Sequence, residues 1–368
     1  MSQIPLVDLK AQHQEVAEEV QRGFAQVLEK TAFILGPAVA EFEAGFARFS
    51  GVAHCVGVAN GTDALELMVR AAGLGPGDEV ILPANTFIAT ALGVVRAGAT
   101  PVLVDVDPRY HLVDLEDVAR KIGPRTRALL PVHLYGQIAP MEGLAKLARE
   151  RNLLLLEDAA QAQGAKQNGV GAGGFGLAAA TSFYPGKNLG AYGDAGAVLT
   201  NSPEQNTKLR NLRNYGSDVK YHHPELGFNS RLDTFQAVVL QAKLVRLAGW
   251  NEARRQAARR YDELLRGLPG VVLPETLPGN EHIWHLYVVR VPRRDETLKR
   301  LNAAGIGAGI HYPIPIHLQG AFKALGQGPG SFPVTEKAAA EILTLPLYPQ
   351  ITPQQQERVV DELRKAIG

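Results

Sequence analysis

The sequence is poor in features that mark several classes of protein. Its 368 residues contain one cysteine, Cys55, so no disulfide can form within the chain. The apolar neighbours of Cys55 predict a buried thiol rather than a nucleophile. No apolar run approaches the roughly 18–20 residues needed to cross a bilayer. The formal net charge of +1 gives no electrostatic reason to expect binding to nucleic acid or a membrane.

Signals for metal binding, secretion and serine hydrolysis are also missing. The ten histidines are scattered, and His222-His223 lacks the spacing of a helical metal site. The first residues, MSQIPLVDLKAQ, do not show the basic-then-apolar layout of a secretion signal, so we expect a cytoplasmic protein. No GxSxG sequence is present to form a nucleophile elbow.

What the chain contains is an alternation of strand-like and helix-like segments that begins near His54. This alternation predicts an α/β fold with a largely parallel sheet and helices on both faces. Strands are expected over 79–82, 101–105, 127–134, 153–157, 177–183 and 197–200, and helices over 13–30, 39–49, 62–72, 89–97, 115–122 and 141–150.

The rest of the chain predicts an arm and a second domain. Residues 1–12 form the expected arm, which is apolar enough at Ile4, Leu6 and Leu9 to dock on another surface. A long helix over 233–265 is expected to bridge a large domain, 13–248, and a smaller C-terminal α+β domain, 249–368. In the latter we expect a strand over 283–291 and helices over 296–304 and 353–367.

Lys187 stands on a tight loop between two strand-like runs. The first run breaks at Tyr184-Pro185-Gly186, a turn sequence. A loop lysine is most often a solvated surface charge. However, the earlier segment NLLLLEDAAQ (152–161) is another buried strand that ends in Asp158. Because sites gather at the carboxyl ends of parallel strands, Lys187 and Asp158 can serve one cofactor.

The chemistry of these two residues narrows the choice of cofactor. A buried, unpaired carboxylate is costly, so Asp158 needs a positive partner, either in a core ion pair or in a protonated pyridine nitrogen. In the second case Gln161 could reach a hydroxyl of the same ring. A lysine whose charged form is disfavoured forms Schiff bases with carbonyl compounds.

Three further segments complete this pattern. Gly61 allows close approach to a ligand, and Thr62 can cap the helix that follows, which would make an anion site, although a plain N-cap is the commoner use of such a sequence. Ser182 could bind phosphate or be structural, and Phe87 could cover a ring or pack in the core. A lysine, a carboxylate, an anion site and an aromatic side chain are together what pyridoxal 5′-phosphate (PLP) requires.

The glycine-rich stretch over 171–176, GAGGFG, spells GxGxxG. A dinucleotide-binding fingerprint follows a strand and opens a helix. This stretch follows a polar turn and precedes a strand, so we interpret it as a flexible glycine loop.

Seven segments together resemble the DegT/DnrJ/StrS group of PLP-dependent nucleotide-sugar aminotransferases. They are NGTDAL (60–65), PANTFIAT (83–90), HLYGQ (133–137), EDAAQAQGA (157–165), SFYPGKNLGAYGDAGA (182–197), GFNSRLD (227–233) and HYPIPIHLQ (311–319). The resemblance extends from about residue 5 to the end. It implies a fold-type I, aspartate-aminotransferase-like homodimer with sites at the subunit interface, PLP as cofactor and pyridoxamine 5′-phosphate as its intermediate form.

The resemblance also implies roles for individual residues. Lys187 would bind PLP and move protons between the substrate Cα and C4′ of the cofactor, and Asp158 would keep the ring nitrogen protonated. Gln161 would contact the ring hydroxyl and Phe87 the ring face. Phosphate would be bound by Gly61, Thr62, Ser182 and Asn229 of the partner subunit. The sugar would contact Tyr184 and, across the interface, His311 and Tyr312, while Tyr221 and Arg231 are candidates for the nucleotide diphosphate.

The sequence around the lysine implies the substrate. Dehydrating relatives carry histidine in its place, so Lys187 implies amine transfer. KNLGAYGDAGA resembles enzymes that act at C-3 of dTDP-3-keto-6-deoxyhexoses, whereas C-4 enzymes commonly read K-x-[IL]-T-T-G-E-G-G. Ala195 stands where those C-3 relatives usually have glycine, and its methyl group could crowd the loop.

We therefore expect transfer of nitrogen from L-glutamate to a dTDP-linked 3-keto-6-deoxyhexose, which gives a dTDP-3-amino-3,6-dideoxyhexose. The alternatives are a 3-aminotransferase for a UDP-linked 3-keto-hexuronic acid and a C-4 sugar aminotransferase. From another class, the alternative is a non-catalytic PLP-binding sensor or scaffold.

Overall fold

The computed structural model describes residues 3–368 and contains one large and two small sheets. The strands are β1 His54–Val58, β2 Glu79–Pro83, β3 Thr100–Val104, β4 Thr126–Leu129, β5 Leu154–Asp158, β6 Lys166–Gln167, β7 Val170–Gly171, β8 Ala178–Ser182, β9 Gly196–Thr200, β10 Asn280–Glu281, β11 Tyr287–Arg290 and β12 Ile342–Leu345. The helices are α1 Leu9–Gln14, α2 Ala17–Lys30, α3 Pro37–Ser50, α4 Gly61–Ala71, α5 Ile88–Arg96, α6 Leu115–Lys121, α7 Met141–Arg151, α8 Pro203–Leu212, α9 Thr234–Leu265, α10 Arg294–Ala303, α11 Pro333–Glu341 and α12 Pro353–Ile367.

The large sheet has seven strands in the order β1-β9-β8-β5-β4-β2-β3. The pairs β2–β3, β2–β4, β4–β5 and β5–β8 are parallel, whereas β9 is antiparallel to β8 and β1. Six strands therefore direct their carboxyl ends to the same edge. This arrangement confirms the mostly parallel sheet expected from the alternating sequence pattern.

Apolar side chains of successive strand residues pack on opposite faces of this sheet. In β5, Leu155 belongs to the core that includes α3 and α7, and Leu156 belongs to the core that includes α4 and α5. In β9, Leu199 and Val198 divide in the same way. The sheet is thus the middle of three layers, and its edges are free to carry polar groups.

The C-terminal part has its own core around the antiparallel pair β11–β12. Helix α9 reaches both cores, since Leu240 and Leu247 pack beside the large sheet and Tyr261 and Leu265 pack in the C-terminal core. The long bridging helix was therefore correctly expected. The division of the chain at residues 248 and 249 stays a prediction.

The N-terminal arm docks on the C-terminal part. Ile4 is buried there, donates its N–H to Gly305 O (2.9 Å) and accepts from Gly307 N (2.7 Å). The arm is not wholly extended, because Leu9–Gln14 is helical, and a break after this helix divides the segment expected as one helix over 13–30. Met1 and Ser2 lie outside the described residues.

Two expected strands are shorter than their apolar runs. In the run over 127–134 the regular strand ends at Leu129, Val132 still pairs with Asp158 in an isolated parallel bridge, and Leu134–Gly136 forms a 3-10 turn. The run over 283–291 is a strand only from Tyr287, because Trp284 has a left-handed backbone (φ 49°) and Ile283 N–H donates to Gly136 O (2.9 Å). None of the helices within residues 3–368 has the length and apolar character that a membrane span requires.

Candidate active site

The carboxyl edge of the large sheet brings the expected site residues together. Asp158 ends β5 and Ser182 ends β8, while the PANTFIAT turn follows β2. Helix α4 begins at Gly61, three residues after the end of β1. A site at this edge follows from strand direction, since the ends of parallel strands expose the loops that can hold a ligand.

Lys187 lies on the turn after β8. Its N–H donates to Tyr184 O (2.8 Å), and the loop is tied back where Phe183 N–H donates to Ala195 O (2.8 Å). Burial lowers the pKa of Lys187 to about 8, and the negative charge of Asp158 opposes this shift. A substantial fraction of the amine is therefore neutral at mildly alkaline pH, as Schiff-base formation requires.

Asp158 is a buried carboxylate held by neutral donors. Thr90 Oγ1 donates to its Oδ2 (2.7 Å), and Ala160 N–H donates to its Oδ1 (3.1 Å). Burial raises the pKa of Asp158, while these hydrogen bonds and the charge of Lys187 act in the opposite direction. A protonated pyridine nitrogen would supply the positive charge that a buried carboxylate needs.

Thr90 is a site residue that the sequence interpretation missed. It lies in the PANTFIAT turn, and its hydroxyl is within 2.9 Å of Thr86 Oγ1. Thr86 precedes α5 and Thr90 lies in its first turn, and the recurrence of threonine four residues apart was the available signal. Their hydroxyls fix the orientation of the Asp158 carboxylate.

The first turn of α4 forms a tight cradle with the end of β8. Asn60, not Thr62, is the N-cap, since its Oδ1 accepts from Asp63 N (2.8 Å), so the expected cap was wrong. Thr62 is the second residue of the helix, where its amide and hydroxyl remain available. A Cβ on Gly61 would lie 2.6 Å from Ser182 Cβ. The cradle has the free amides and helix dipole that bind phosphate.

Gln161 links three parts of the site. Its Oε1 accepts from Tyr135 N (2.7 Å), and its Nε2 donates to Tyr312 Oη (3.2 Å). Tyr135 Oη in turn donates to His311 O (2.6 Å). Phe87 is half exposed, and its ring centroid is 5.1 Å from that of Tyr312. An exposed aromatic ring at this edge fits a cofactor ring better than core packing.

His311 and Tyr312 therefore line the same chain's site as Lys187, and the expectation that they act across the interface was wrong. The segment that carries them returns over the sheet edge, because Ile316 N–H donates to Ala84 O (3.1 Å) beside the PANTFIAT turn. His311 Nδ1 is 2.8 Å from Thr344 Oγ1, and burial together with Lys187 lowers its pKa to about 4.

The remaining candidates lie on or near the surface. Tyr184, 61% exposed, stands beside the Lys187 turn. Tyr221 is 85% exposed on a loop that Tyr215 N–H closes by donating to Phe228 O (2.8 Å). Arg231 donates to Asn214 Oδ1 (3.1 Å) at the base of this loop, next to the exposed Asn229. Within residues 3–368, no hydrogen bond joins the side chains of Tyr221, Asn229 or Arg231 to Lys187 or Asp158.

The glycine-rich stretch GAGGFG (171–176) surrounds the carboxylate of Glu157. Glu157, fully buried, accepts hydrogen bonds from Gly173 N (2.8 Å), Phe175 N (3.0 Å) and Gly176 N (2.8 Å). His133 Nε2 is 2.9 Å from the same carboxylate. The loop is thus not a dinucleotide site, and the flexibility expected of it is wrong, because its amides are fixed on the neighbour of Asp158.

Ala195 does not strain the loop. It is buried in the core with Phe183 and Leu189, and its backbone does not have a left-handed φ. The methyl group therefore fills core space, and the expected crowding is not observed.

The model for the DegT/DnrJ/EryC1/StrS aminotransferase family matches residues 14–364. The chain belongs to this family. It is 47% identical over 362 residues to a dTDP-3-amino-3,4,6-trideoxy-alpha-D-glucose transaminase of Streptomyces venezuelae, covering 98% of this chain and 96% of that one. It is 46% identical over 364 residues to a UDP-N-acetyl-3-dehydro-alpha-D-glucosamine 3-aminotransferase of Acidithiobacillus ferrooxidans, with 99% and 98% covered.

The solved structure of S. venezuelae DesV in complex with a ketimine intermediate has a TM-score of 0.97 and 47% identity to this aminotransferase, and 99% and 98% of the two chains are covered. The chain is therefore a PLP-dependent aminotransferase of fold type I. The buried Asp158, the Gly61–Ser182 cradle and the half-exposed Phe87 all fit this cofactor. When bound, PLP supplies an aldehyde for amines and a protonated ring that withdraws electrons.

Proposed function

We propose that this aminotransferase transfers nitrogen from L-glutamate to C-3 of a dTDP-linked 3-keto-6-deoxyhexose. The observation that carries the proposal is Lys187, placed near Asp158 on the loop that reads KNLGAYGDAGA. That loop resembles the C-3 enzymes, and the S. venezuelae relative is named for a dTDP-3-amino sugar. Glutamate would leave as 2-oxoglutarate, and the sugar ketone would become an amine.

In this proposal each residue of the chain has a limited task. Asp158 holds the proton of the ring nitrogen, oriented by Thr90. The amine of Lys187 would take up and return the proton that moves during transfer. Tyr184, His311 and Tyr312 contact the sugar from the rim of the same chain's site.

A UDP-linked 3-keto sugar is the second candidate. The A. ferrooxidans relative, named for such a sugar, is only one percentage point less identical to this chain than the dTDP-sugar relative. Overall identity therefore does not discriminate between the two nucleotides. A UDP-linked 3-keto-hexuronic acid belongs to the same candidate class.

The proposal includes a homodimer in which each site is shared. It is supported by the exposed apolar residues Tyr221 and Leu226 on the loop that ends at Asn229, since large exposed apolar side chains mark interfaces. In such a dimer Asn229 of the partner subunit would bind phosphate, and Tyr221 and Arg231 would reach the nucleotide. A cytoplasmic location also stays a prediction.

The test runs the reaction in reverse, because amino sugars are more stable than keto sugars. The PLP-loaded protein is incubated with 2-oxoglutarate and, separately, a dTDP-3-amino-6-deoxyhexose, a UDP-linked 3-amino sugar and a dTDP-4-amino-6-deoxyhexose. Mass spectrometry follows the appearance of glutamate and of the keto sugar. The first sugar should react fastest, and the Lys187→Ala variant should not react.

Preference for the UDP sugar would move the assignment to the second candidate, and preference for the 4-amino sugar would overturn C-3 specificity. If none reacts and glutamate does not convert the bound cofactor to pyridoxamine 5′-phosphate, the non-catalytic sensor or scaffold is favoured.

A further inference from the structure

A buried network of hydrogen bonds lies directly behind the catalytic lysine. Asn188 follows Lys187 and is 1% exposed. Its Nδ2 donates to Asn251 Oδ1 (2.9 Å), on helix α9, and to Ile283 O (3.2 Å). On the other side, His285 Nδ1 is 3.2 Å from Asn188 Oδ1. The residue next to Lys187 is thus held by two distant segments of the chain.

The donors and acceptors of this network can be assigned from chemistry. A backbone carbonyl only accepts, so Ile283 O requires the nitrogen of the Asn188 amide on its side. The orientation of Asn251 is fixed in the same way, because its Nδ2 donates to Gln163 O (2.9 Å). Asn188 Oδ1 therefore faces His285, and His285 Nδ1 carries the hydrogen.

His285 is neutral in this setting. Burial lowers its pKa well below the usual value, and the basic groups that act on it, Lys187, Arg254, His311 and His282, shift it further in the same direction. A neutral imidazole has one N–H, and the network places it on Nδ1. The ring thus adds no positive charge beside Lys187.

The backbone around His285 is also anchored. Arg254, fully buried on α9, donates from Nη1 to Leu347 O (3.0 Å) and Trp284 O (3.2 Å). Asn251 and Arg254 are three residues apart on the same face of α9. The long helix therefore fixes both sides of the Asn188–His285 hydrogen bond.

We propose that His285 is a positioning residue for Lys187, which it orients by donating from Nδ1 to Asn188. The proposal rests on the aminotransferase function proposed above. It assigns a role to a residue that, within residues 3–368, makes no hydrogen bond to Asp158, Gly61 or Ser182 and no ring contact with Phe87. A rigid support matters here, because misplacement of a reacting group by about 1 Å can cost on the order of 10²-fold in rate.

The test compares His285→Leu and His285→Asn in the full-length protein. One readout is the rate of covalent PLP attachment to the cofactor-free protein at saturating PLP. The other is the rate at which saturating glutamate, with hydrogen or deuterium at Cα, converts the bound PLP to pyridoxamine 5′-phosphate. His285→Leu should slow both rates about tenfold, the value of one buried hydrogen bond, and should raise the isotope effect. His285→Asn, which keeps an N–H donor, should recover most of the rate.

A double-mutant cycle with Asn188→Ala separates positioning from general destabilisation. If His285 acts through Asn188, adding His285→Leu to Asn188→Ala should cause little further loss. Tyr287→Phe, which removes the hydrogen bond from Tyr287 Oη to Asp262 (2.6 Å), is the stability control and should leave both rates unchanged.

Unchanged rates and isotope effect in His285→Leu with a lower melting temperature would show a structural role only and overturn the proposal, as would additive losses in the cycle. If the natural chain does not react with glutamate, the proposed function fails, but the rate of PLP attachment still decides the role of His285.

Discussion

At the scale of single residues, the proposed role of the buried Asp158 carboxylate is to keep the cofactor ring protonated, so that the ring can accept electrons. Asn at this position has the same shape but cannot hold a positive ring nitrogen. We expect Asp158→Asn to retain PLP and to lose on the order of 10²- to 10³-fold in kcat, as for other electrostatic contacts to a reacting centre. Steady-state kinetics with the preferred sugar measure the loss.

Thr90→Val is the matched variant, because it removes the donor to Asp158 but leaves the charge. It should cost about tenfold in kcat. A kcat of Asp158→Asn within a few-fold of the natural value would contradict the assigned role.

Lys243 offers a second residue-scale test, through pH. It is 2% exposed, and its Nζ donates to two neutral acceptors, Gln12 Oε1 (2.9 Å) and Gly190 O (2.6 Å). Burial lowers the pKa of Lys243 to about 8, below its ordinary value of 10.5. Between pH 8 and pH 10.5 the unfolded chain binds more protons at Lys243 than the folded chain does. The free energy of unfolding therefore increases as pH rises through this range.

Compared with Lys243→Met, the cofactor-free natural chain should therefore gain about 3 kcal/mol in free energy of unfolding from pH 8 to pH 10.5. Denaturant titrations at both pH values give this difference. Lys208→Met, at a half-exposed lysine on α8, is the control, and its free energy of unfolding should follow that of the natural chain at both pH values. If the free energies of unfolding of Lys243→Met and of the natural chain change equally between the two pH values, the pKa of Lys243 is not lowered.

The role of a site residue could be predicted where the expected chemistry requires one residue type at or just beyond the end of a buried strand. Lys187 and Asp158 were found for this reason. The sequence did not show which subunit's site His311 and Tyr312 line. Their position depends on the path of a proline-rich segment, which only tertiary contacts fix. His285 was hidden for a related reason: it lies in an apolar run that resembles a continuous strand but turns at Trp284.

At the scale of elements, the close contact of α4 with β8 forms the cradle that we propose binds the phosphate of PLP. A Cβ at Gly61 would overlap Ser182, so Gly61→Ala must shift the helix or the strand end. We expect it to weaken PLP binding at least tenfold and to cost roughly 1–3 kcal/mol in stability. Fluorescence titration with PLP and thermal unfolding of the cofactor-free protein measure the two effects.

Gly249→Ala is the matched control, because a Cβ at this exposed position of α9 meets no atom within 4 Å. It should stabilise the helix by roughly 0.5–1 kcal/mol and leave PLP affinity unchanged. Natural PLP affinity in Gly61→Ala would show that the cradle does not bind phosphate.

Elements with a strong apolar period were predictable, and short or polar ones were not. Strands β2, β3, β5, β8 and β9 and helix α9 match their expected positions, whereas β1 was not among the expected strands and β4 is shorter than expected. Helix α11 and strand β12 were missed, because the continuous apolar run of β12 has no alternation that separates it from the preceding helix. The glycine loop was misjudged as flexible, because sequence alone could not show that Glu157 occupies it.

At the scale of the whole molecule, a shared site predicts complementation between defective subunits. Lys187→Ala and Asn229→Ala each remove one part of the proposed site. If the parts come from different subunits, a mixed dimer has one intact site and one doubly defective site. Random re-association of equal amounts should then restore about a quarter of natural activity, because half the dimers are mixed.

Activity of the mixture is measured after the two variants are unfolded and refolded together. The control is the same mixture refolded separately and then combined without exchange, which should stay inactive. Recovery that does not exceed this control would show that Lys187 and Asn229 serve the same subunit's site.

Whether Lys187 binds PLP is decided by reduction of the PLP-loaded protein with borohydride, followed by peptide mass spectrometry. Lys243 is the natural competitor, because it is also buried and its pKa is also lowered to about 8. We expect a phosphopyridoxyl group on Lys187 alone. A modified Lys243, or no modification at all, would contradict it.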